Sequence, residues 1–191
     1  MGVAEVREAM VARPRAAYLP PEVSARGDDD VPLAIGYGAT CSQPSTVAEM
    51  LTLLDPQPGD RVLDVGSGSG WTTALLARVV GPSGVVVGVE LEPALVEMGR
   101  ENLARAGVDA RIEQAVPGRV GWPEGAPFDR ILVSAEAQEV PASLVAQLTP
   151  EGRMVIPVRG TMGVVRRDGD TFEMRTLGAY RFVPLREVGD P

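Results

Sequence analysis

The densest concentration of possible chemistry in this chain is Asp64-Val65-Gly66-Ser67-Gly68-Ser69-Gly70, a carboxylate followed by three glycines at alternate positions. An apolar run, Val62-Leu63-Asp64-Val65, precedes it, and Thr72, Leu75, Leu76 and Val79 follow at helical spacing. A strand, a tight turn and a helix N-terminus in succession bring backbone N–H groups against a ligand. A second apolar run, Val85-Val86-Val87-Gly88-Val89, ends in Glu90. A carboxylate at that strand end can accept hydrogen bonds from both hydroxyls of a ribose. Together these features imply a nucleoside-containing cofactor and an enzyme that uses it. The competing reading is a Gly-rich βα turn with Asp64 as a capping residue and Glu90 as an exposed strand end.

The spacing discriminates between cofactors. A dinucleotide fingerprint needs glycine at the first, third and sixth positions, but the sixth position from Gly66 is Trp71. An indole there blocks the close strand–helix approach that the third glycine permits. The pattern Asp-x-Gly-x-Gly-x-Gly instead resembles the loop of class I methyltransferases, which bind S-adenosylmethionine. On that resemblance Asp64, Val65, Gly66, Ser67, Gly68, Gly70, Glu90 and Leu91 are the cofactor-binding candidates. Asp64 is expected to meet the ammonium of the methionine part.

Composition narrows the chemistry further. The chain has no histidine and one cysteine, Cys41, which excludes His-based nucleophilic triads and leaves no donor set for zinc. Any reaction must need no general base, or use a carboxylate, a tyrosine or water. The net charge is −8 and all 18 basic residues are arginine, scattered along the chain, which argues against a nucleic-acid partner. No apolar run approaches the ~18–20 residues of a membrane span. The N-terminus lacks the apolar core of a signal peptide. A cytoplasmic protein is expected, and a monomer, since no apolar stripe is left over.

The elements that must position these residues alternate. Helices are expected at 3–13, 44–54, 70–80, 93–106 and 141–148, and strands at 61–65, 85–89, 109–115, 129–134, 153–158, 163–167 and 171–177. Pro44 and Pro93 suit first helical turns, and Gly107 suits a helix end. Residues 18–44 read as an irregular arm and 116–127 as a Gly/Pro loop. The alternation predicts an α/β fold, a doubly wound and mostly parallel sheet, with an N-terminal helical arm and a C-terminal hairpin at the sheet edge. One domain is expected: helix and substrate-covering arm to residue 56, cofactor-binding core over 57–160, hairpin and tail over 161–191. Ligands bind beyond the C-terminal strand ends of such sheets. That places Gly66–Gly70, Glu90, residues 115–118 and Ser134–Ala137 around one crevice, with residues 35–45 over it.

Further motifs resemble one methyltransferase family. Ile35-Gly36-Tyr37-Gly38-Ala39-Thr40-Cys41-Ser42-Gln43-Pro44 resembles the signature arm of protein-L-isoaspartate O-methyltransferases. The likeness continues through Pro58–Gly70, Arg100-Glu101-Asn102-Leu103, Gly121-Trp122-Pro123-Glu124, Ala126–Ile131 and Arg181-Phe182-Val183-Pro184-Leu185. It spans most of residues 14–186. The resemblance implies methylation of the free carboxylate of L-isoaspartyl residues in proteins and peptides, leading to repair through a succinimide. It implies Ser42 as the active-site serine, with Thr40 two places before it. Tyr37, Cys41, Ser134, Ala135, Arg181 and Val183 are the candidate substrate contacts. From spacing alone Ser42 reads equally as a cap for the following helix.

Two departures from the family pattern stand out. Ala39 occupies a position where the family usually has Gln. Val116-Pro117-Gly118 stands where the family shows Gly-Asp-Gly, whose Asp meets the adenine amino group; Gln114 or Glu113 is the candidate replacement. Three functions therefore stay open: repair of isoaspartyl proteins, carboxyl methylation of one dedicated peptide, and cofactor binding without turnover.

Overall fold

The structure, a computed structural model, describes residues 2–169 and 171–185. Helix α1 (Val3–Ala12) leads through a 3-10 turn (Arg15–Tyr18) and a one-turn helix α2 (Pro21–Ser24) into a hairpin, β1 (Leu33–Gly36) and β2 (Ala39–Cys41). The alternating core follows: α3 (Pro44–Leu54), β3 (Arg61–Val65), α4 (Trp71–Val80), β4 (Val85–Glu90), α5 (Pro93–Arg105), β5 (Arg111–Gln114), β6 (Phe128–Val133), α6 (Ala142–Val145) and β7 (Leu148–Val158). Strands β8 (Thr161–Asp168) and β9 (Thr171–Leu177) close it. Pro44 and Pro93 sit in the first turns of α3 and α5, where the missing N–H has no intrahelical acceptor to lose. No described helix is long and apolar enough to cross a membrane.

The seven-stranded sheet has the order β5-β4-β3-β6-β7-β8-β9. Strands β3 to β7 pair in parallel, and β7-β8-β9 pair antiparallel, giving the edge hairpin. From β3 the chain winds outward to β4 and β5, then returns to β6 on the other side of β3. The strand order therefore reverses at the C-terminal end of β3, where a crevice opens. The glycine turn lies at that point. Central strands carry continuous Val, Leu and Ile runs because both of their faces are covered. One face packs against α1, α3, α4 and α5, with Leu51, Leu54, Leu75 and Leu76 buried among them. The other face is covered by α6 and by side chains from the segment after β5, among them Val120 and Trp122.

Two expectations are corrected. The arm over 18–44 is not irregular. Its centre is the β1–β2 hairpin, with Leu33 opposite Cys41, turned by Gly36, Tyr37 and Gly38, all at positive φ (96°, 55° and 74°). The helix expected at 141–148 is only the single turn Ala142–Val145, and β7 begins at Leu148 rather than 153. The cause is Gln147, whose buried amide donates to Val120 O and Ser143 O and accepts from Trp122 N–H. Its backbone carbonyl accepts from Phe128 N–H. These bonds turn the chain into the sheet before a second helical turn can form.

Candidate functional site

The glycine turn is built by backbone hydrogen bonds around the end of β4. Gly66 N–H and Ser67 N–H both donate to Val89 O, at 2.9 and 3.1 Å. Gly66, Gly68 and Gly70 all lie at positive φ (75°, 51° and 87°), a region that side-chain-bearing residues rarely enter. A Cβ on Gly68 would also come within 3.0 Å of Ile35 Cδ1. The turn therefore touches the β1–β2 hairpin directly, and a side chain there would separate the two.

Glu90 is fixed by three amides. Gly68 N–H donates to Oε2 at 2.9 Å, and Leu91 N–H and Glu92 N–H donate to Oε1 at 2.7 and 3.1 Å. A carboxylate offers about four lone-pair sites, so one remains open, on Oε2. In this arrangement Glu90 can take one ligand hydroxyl fully; a second must share an oxygen or displace an amide.

Glu90 lies on the wall of a large cleft that encloses about 1010 Å³ including its open mouth. Its floor is Val65, Gly66, Gly68 and Val89; one wall is Leu91, Glu92 and Leu95, and another is Ala115 to Gly121. Tyr37, Gly38 and Ala39 close it from the hairpin, Ser134 and Ala135 from the end of β6, and Val183 to Leu185 from the tail. The tail strand is held there by Glu136, whose N–H donates to Val183 O and whose carbonyl accepts from Leu185 N–H. A glycine-lined floor, mostly aliphatic walls and the Glu90 carboxylate with its open acceptor site fit a nucleoside, so the residues present suit the methyl donor expected from the sequence.

A second, smaller cavity, about 280 Å³ including its open mouth, adjoins the first and shares Gly66 and Ser134 with it. Its lining is rich in hydroxyls: Ser42, Ser67, Ser69, Thr72 and Ser134, together with Cys41 and Trp71. Ser42 does not cap α3; the residue at the cap position is Gln43, and no side chain caps that helix. Burial pushes the Cys41 thiol above its usual range, partly offset by hydrogen bonds to Arg15 and Ser69 and by the Arg15 charge, so it is not primed as a thiolate nucleophile.

The structure thus gathers Tyr37, Val65, Gly66, Gly68, Glu90, Leu91, Ser134, Ala135 and Val183 on the large cleft, and Cys41, Ser42 and Ser67 on the small one. It leaves five expected residues off both linings. Asp64 is fully buried under the turn. Its Oδ2 accepts from the Thr72 and Thr73 hydroxyls, both at 2.7 Å, and so anchors the first turn of α4, while its Oδ1 is buried without a partner among the described residues. Burial raises its carboxyl to about 6, against the pull of the two threonines, and the Glu90 charge adds to the rise. Gly70 is a packing glycine: a Cβ there would lie 3.2 Å from Gly99 O in α5. Gln114 is exposed and spends its amide on the Glu90 and Leu91 carbonyls. Glu113 is engaged by Arg100 and Arg111. Neither side chain lies on the cleft lining, and the wall there is Ala115, Val116, Pro117 and Gly118. Thr40 and Arg181 are exposed.

Sequence reasoning missed Glu92, Leu95, Arg119, Val120, Gly121, Pro184 and Leu185 on the large cleft, and Thr72 on the small one. The Thr72 hydroxyl was the findable one, since it follows the glycine turn directly. Nothing local marks Leu95 as a wall residue rather than ordinary helix core.

Comparison with known proteins agrees with this geometry. The family described as protein-L-isoaspartate(D-aspartate) O-methyltransferase matches residues 2–189. A protein-L-isoaspartate O-methyltransferase of Aeropyrum pernix is 47% identical over 188 residues, covering 94% of this chain and 72% of that protein. One from Methylorubrum extorquens is 46% identical over 193 residues, covering 97% and 82%. A solved protein-L-isoaspartate O-methyltransferase superposes with a TM-score of 0.86 at 27% identity, over 95% of this chain but only 61% of that one. A putative protein-L-isoaspartate O-methyltransferase from Plasmodium falciparum, in complex with S-adenosyl-L-homocysteine, superposes with a TM-score of 0.84 at 28% identity, over 95% and 90%. With the glycine turn, the Glu90 clamp and the hydroxyl-lined second cavity in the places described, the chain belongs to the protein-L-isoaspartate O-methyltransferase family.

Proposed function

We propose that this chain transfers the methyl group of S-adenosylmethionine to the free carboxylate of L-isoaspartyl residues in proteins and peptides, giving a methyl ester that closes to a succinimide with loss of methanol and can reopen by hydrolysis to aspartate. The observation that carries the proposal is the pair of adjoining cavities, one with a nucleoside-type lining and one lined by hydroxyls, that meet at Gly66 and Ser134.

When bound, the sulfonium supplies an electrophilic methyl carbon, whose bond to sulfur breaks as an acceptor oxygen bonds to it. This chain's residues do the rest. A carboxylate acceptor has a pKa near ~4 and is already ionised at neutral pH, so no base is needed and the absence of histidine costs nothing. Ser42 donates a hydrogen bond to the acceptor carboxylate and aligns it. Ser134 stands where the two cavities meet and holds the same group from the β6 side. Glu90 takes a ribose hydroxyl. Val65 and Leu91 line the cofactor, and the backbone of the Gly66–Gly68 turn, its amides spent on Val89 O and Glu90, forms the floor beneath it. Val183 and Ala135 exclude water from the reacting pair. Tyr37, at the exposed hairpin tip, meets the peptide beside the acceptor residue; Thr40 and Arg181 lie farther out on its path. We place the enzyme in the cytoplasm as a monomer with no nucleic-acid partner, in keeping with its net charge of −8.

The test is to incubate the protein and the methyl donor with several unrelated isoaspartyl peptides and follow succinimide and aspartyl products by chromatography. Conversion across sequences supports general repair. Turnover of one sequence alone replaces repair with a dedicated peptide substrate, and no turnover at all refutes the assignment.

A further inference from the structure

One buried charge is not used by the site as described. Arg15 is only 4% exposed, and among the described residues it forms no ion pair. Its guanidinium instead donates to three backbone carbonyls: Asp29 O at 3.0 Å, Val31 O at 2.9 Å and Cys41 O at 2.8 Å. It lies over the Trp71 ring, 5.7 Å from the centroid, and Trp71 Nε1–H donates to Arg13 O at 2.9 Å.

The placement of those carbonyls matters. Val31 precedes β1 and Cys41 ends β2, so one side chain ties together both feet of the hairpin whose tip carries Tyr37. Cys41 is also the residue before Ser42, and Cys41, Ser42 and Trp71 line the same small cavity. Burying a cation without a carboxylate in contact is costly unless its donors are satisfied; here both terminal nitrogens are met by carbonyls, and Nε alone is without a partner among the described residues. A planar five-donor fork over an aromatic face can meet three carbonyls at once, whereas an ammonium is a compact point charge with a different donor geometry.

We infer that Arg15 is a positioning residue for the methyl acceptor: its fork fixes the Cys41–Ser42 backbone against Trp71 and so sets where the Ser42 hydroxyl stands. The glycine turn and Glu90 hold the other ligand through their own local hydrogen bonds, so the consequence of disturbing Arg15 falls mainly on the acceptor side. This rests on the proposed function for its substrate, but not for its geometry.

The experiment compares the wild type with Arg15→Lys, which keeps the charge and loses the fork. Three readouts are taken below the melting temperature of both proteins: kcat and KM for an isoaspartyl peptide, S-adenosylhomocysteine affinity by calorimetry, and the labelling rate of Cys41 by a thiol reagent. The expected result is a fall in kcat/KM for the peptide of about 100-fold, the scale on which small misplacements of a reacting group are felt. Cofactor affinity stays unchanged and Cys41 labels faster. Unchanged peptide kinetics with unchanged Cys41 labelling overturn the inference, as do equal losses in peptide and cofactor affinity, which mark general loosening. If the wild type itself transfers no methyl group, the proposed function fails, while Cys41 labelling and cofactor affinity still decide the role of Arg15. If Arg15→Lys does not fold, Trp71→Phe is measured instead. It keeps a ring under the guanidinium but frees the Arg13 carbonyl, and must lower peptide kcat/KM at constant cofactor affinity for the inference to stand.

Discussion

The two halves of the site are held by different kinds of bond. The cofactor half is held by nearby backbone amides. Gly66 and Ser67 amides cap the Val89 carbonyl, and Glu90 is seized by amides no more than 22 residues away. The acceptor half is side chains reaching across the fold. Arg15 gathers three carbonyls over 14 to 26 residues, Trp71 reaches 58 residues back to Arg13, and Arg13 itself reaches Ala106, 93 residues away. A turn closed by its own amides is rigid once its local sequence is right. An arm tied by scattered side chains can be altered one tie at a time. Cofactor binding should therefore fail all at once, and acceptor alignment by degrees.

The largest test of that contrast is Gly68→Val. The new side chain must adopt φ near +51° and meets Ile35, so the turn cannot keep its path. Cofactor binding should be abolished in calorimetry; retained binding would show that the turn tolerates displacement and is not the rigid half. Ser42→Ala comes next. Removing one hydrogen bond to a charged acceptor costs about 1.5–3 kcal/mol, or about 10- to 100-fold in turnover, at constant cofactor affinity. Equal turnover in steady-state assays would remove Ser42 from the reaction. Glu90→Gln should weaken S-adenosylhomocysteine by about tenfold and leave peptide KM alone, because its amide group must turn an N–H toward one of the amides that now donate to Glu90. A change confined to peptide KM would move Glu90 to the acceptor half.

Asp64 gives the smallest effect on turnover and the clearest pH signature. Burial raises its carboxyl to about 6, above the ordinary carboxylate value near ~4. The folded state therefore holds this proton more tightly than the unfolded state does, and stability falls as pH rises from about 4 to about 6. The whole swing is about 3 kcal/mol in order of magnitude. Asn at this position can still accept from both threonines and does not titrate. Urea denaturation of Asp64→Asn should lack that part of the pH dependence; identical curves for both proteins would mean that Asp64 ionises freely in the fold.

The same contrast explains what could be read from the sequence. The glycine turn, Glu90 and the order of strands and helices were legible because each is announced locally, by a β-branched run, a positive-φ glycine or a proline at a helix start. The β1–β2 hairpin was not, since strands of four and three residues carry too little alternation to separate from loop. Helix α6 was drawn too long because Leu144, Val145 and Leu148 suit a helix face and a strand start equally; the hydrogen bonds of Gln147, 25 and 27 residues from their partners, decide between them. The position of Asp64 before the turn was legible, but its hold on the Thr72 and Thr73 hydroxyls of α4 was not. Arg15 carries no local mark at all: its burial exists only once residues 29, 31, 41 and 71 have come together.

The most direct measurement is methyl transfer from radiolabelled S-adenosylmethionine to two synthetic peptides that differ only in L-isoaspartate against L-aspartate at one position. Base-labile label on the isoaspartyl peptide alone is the predicted result. Label on neither peptide, or on both alike, would contradict the assignment of the hydroxyl-lined cavity as an isoaspartyl acceptor site.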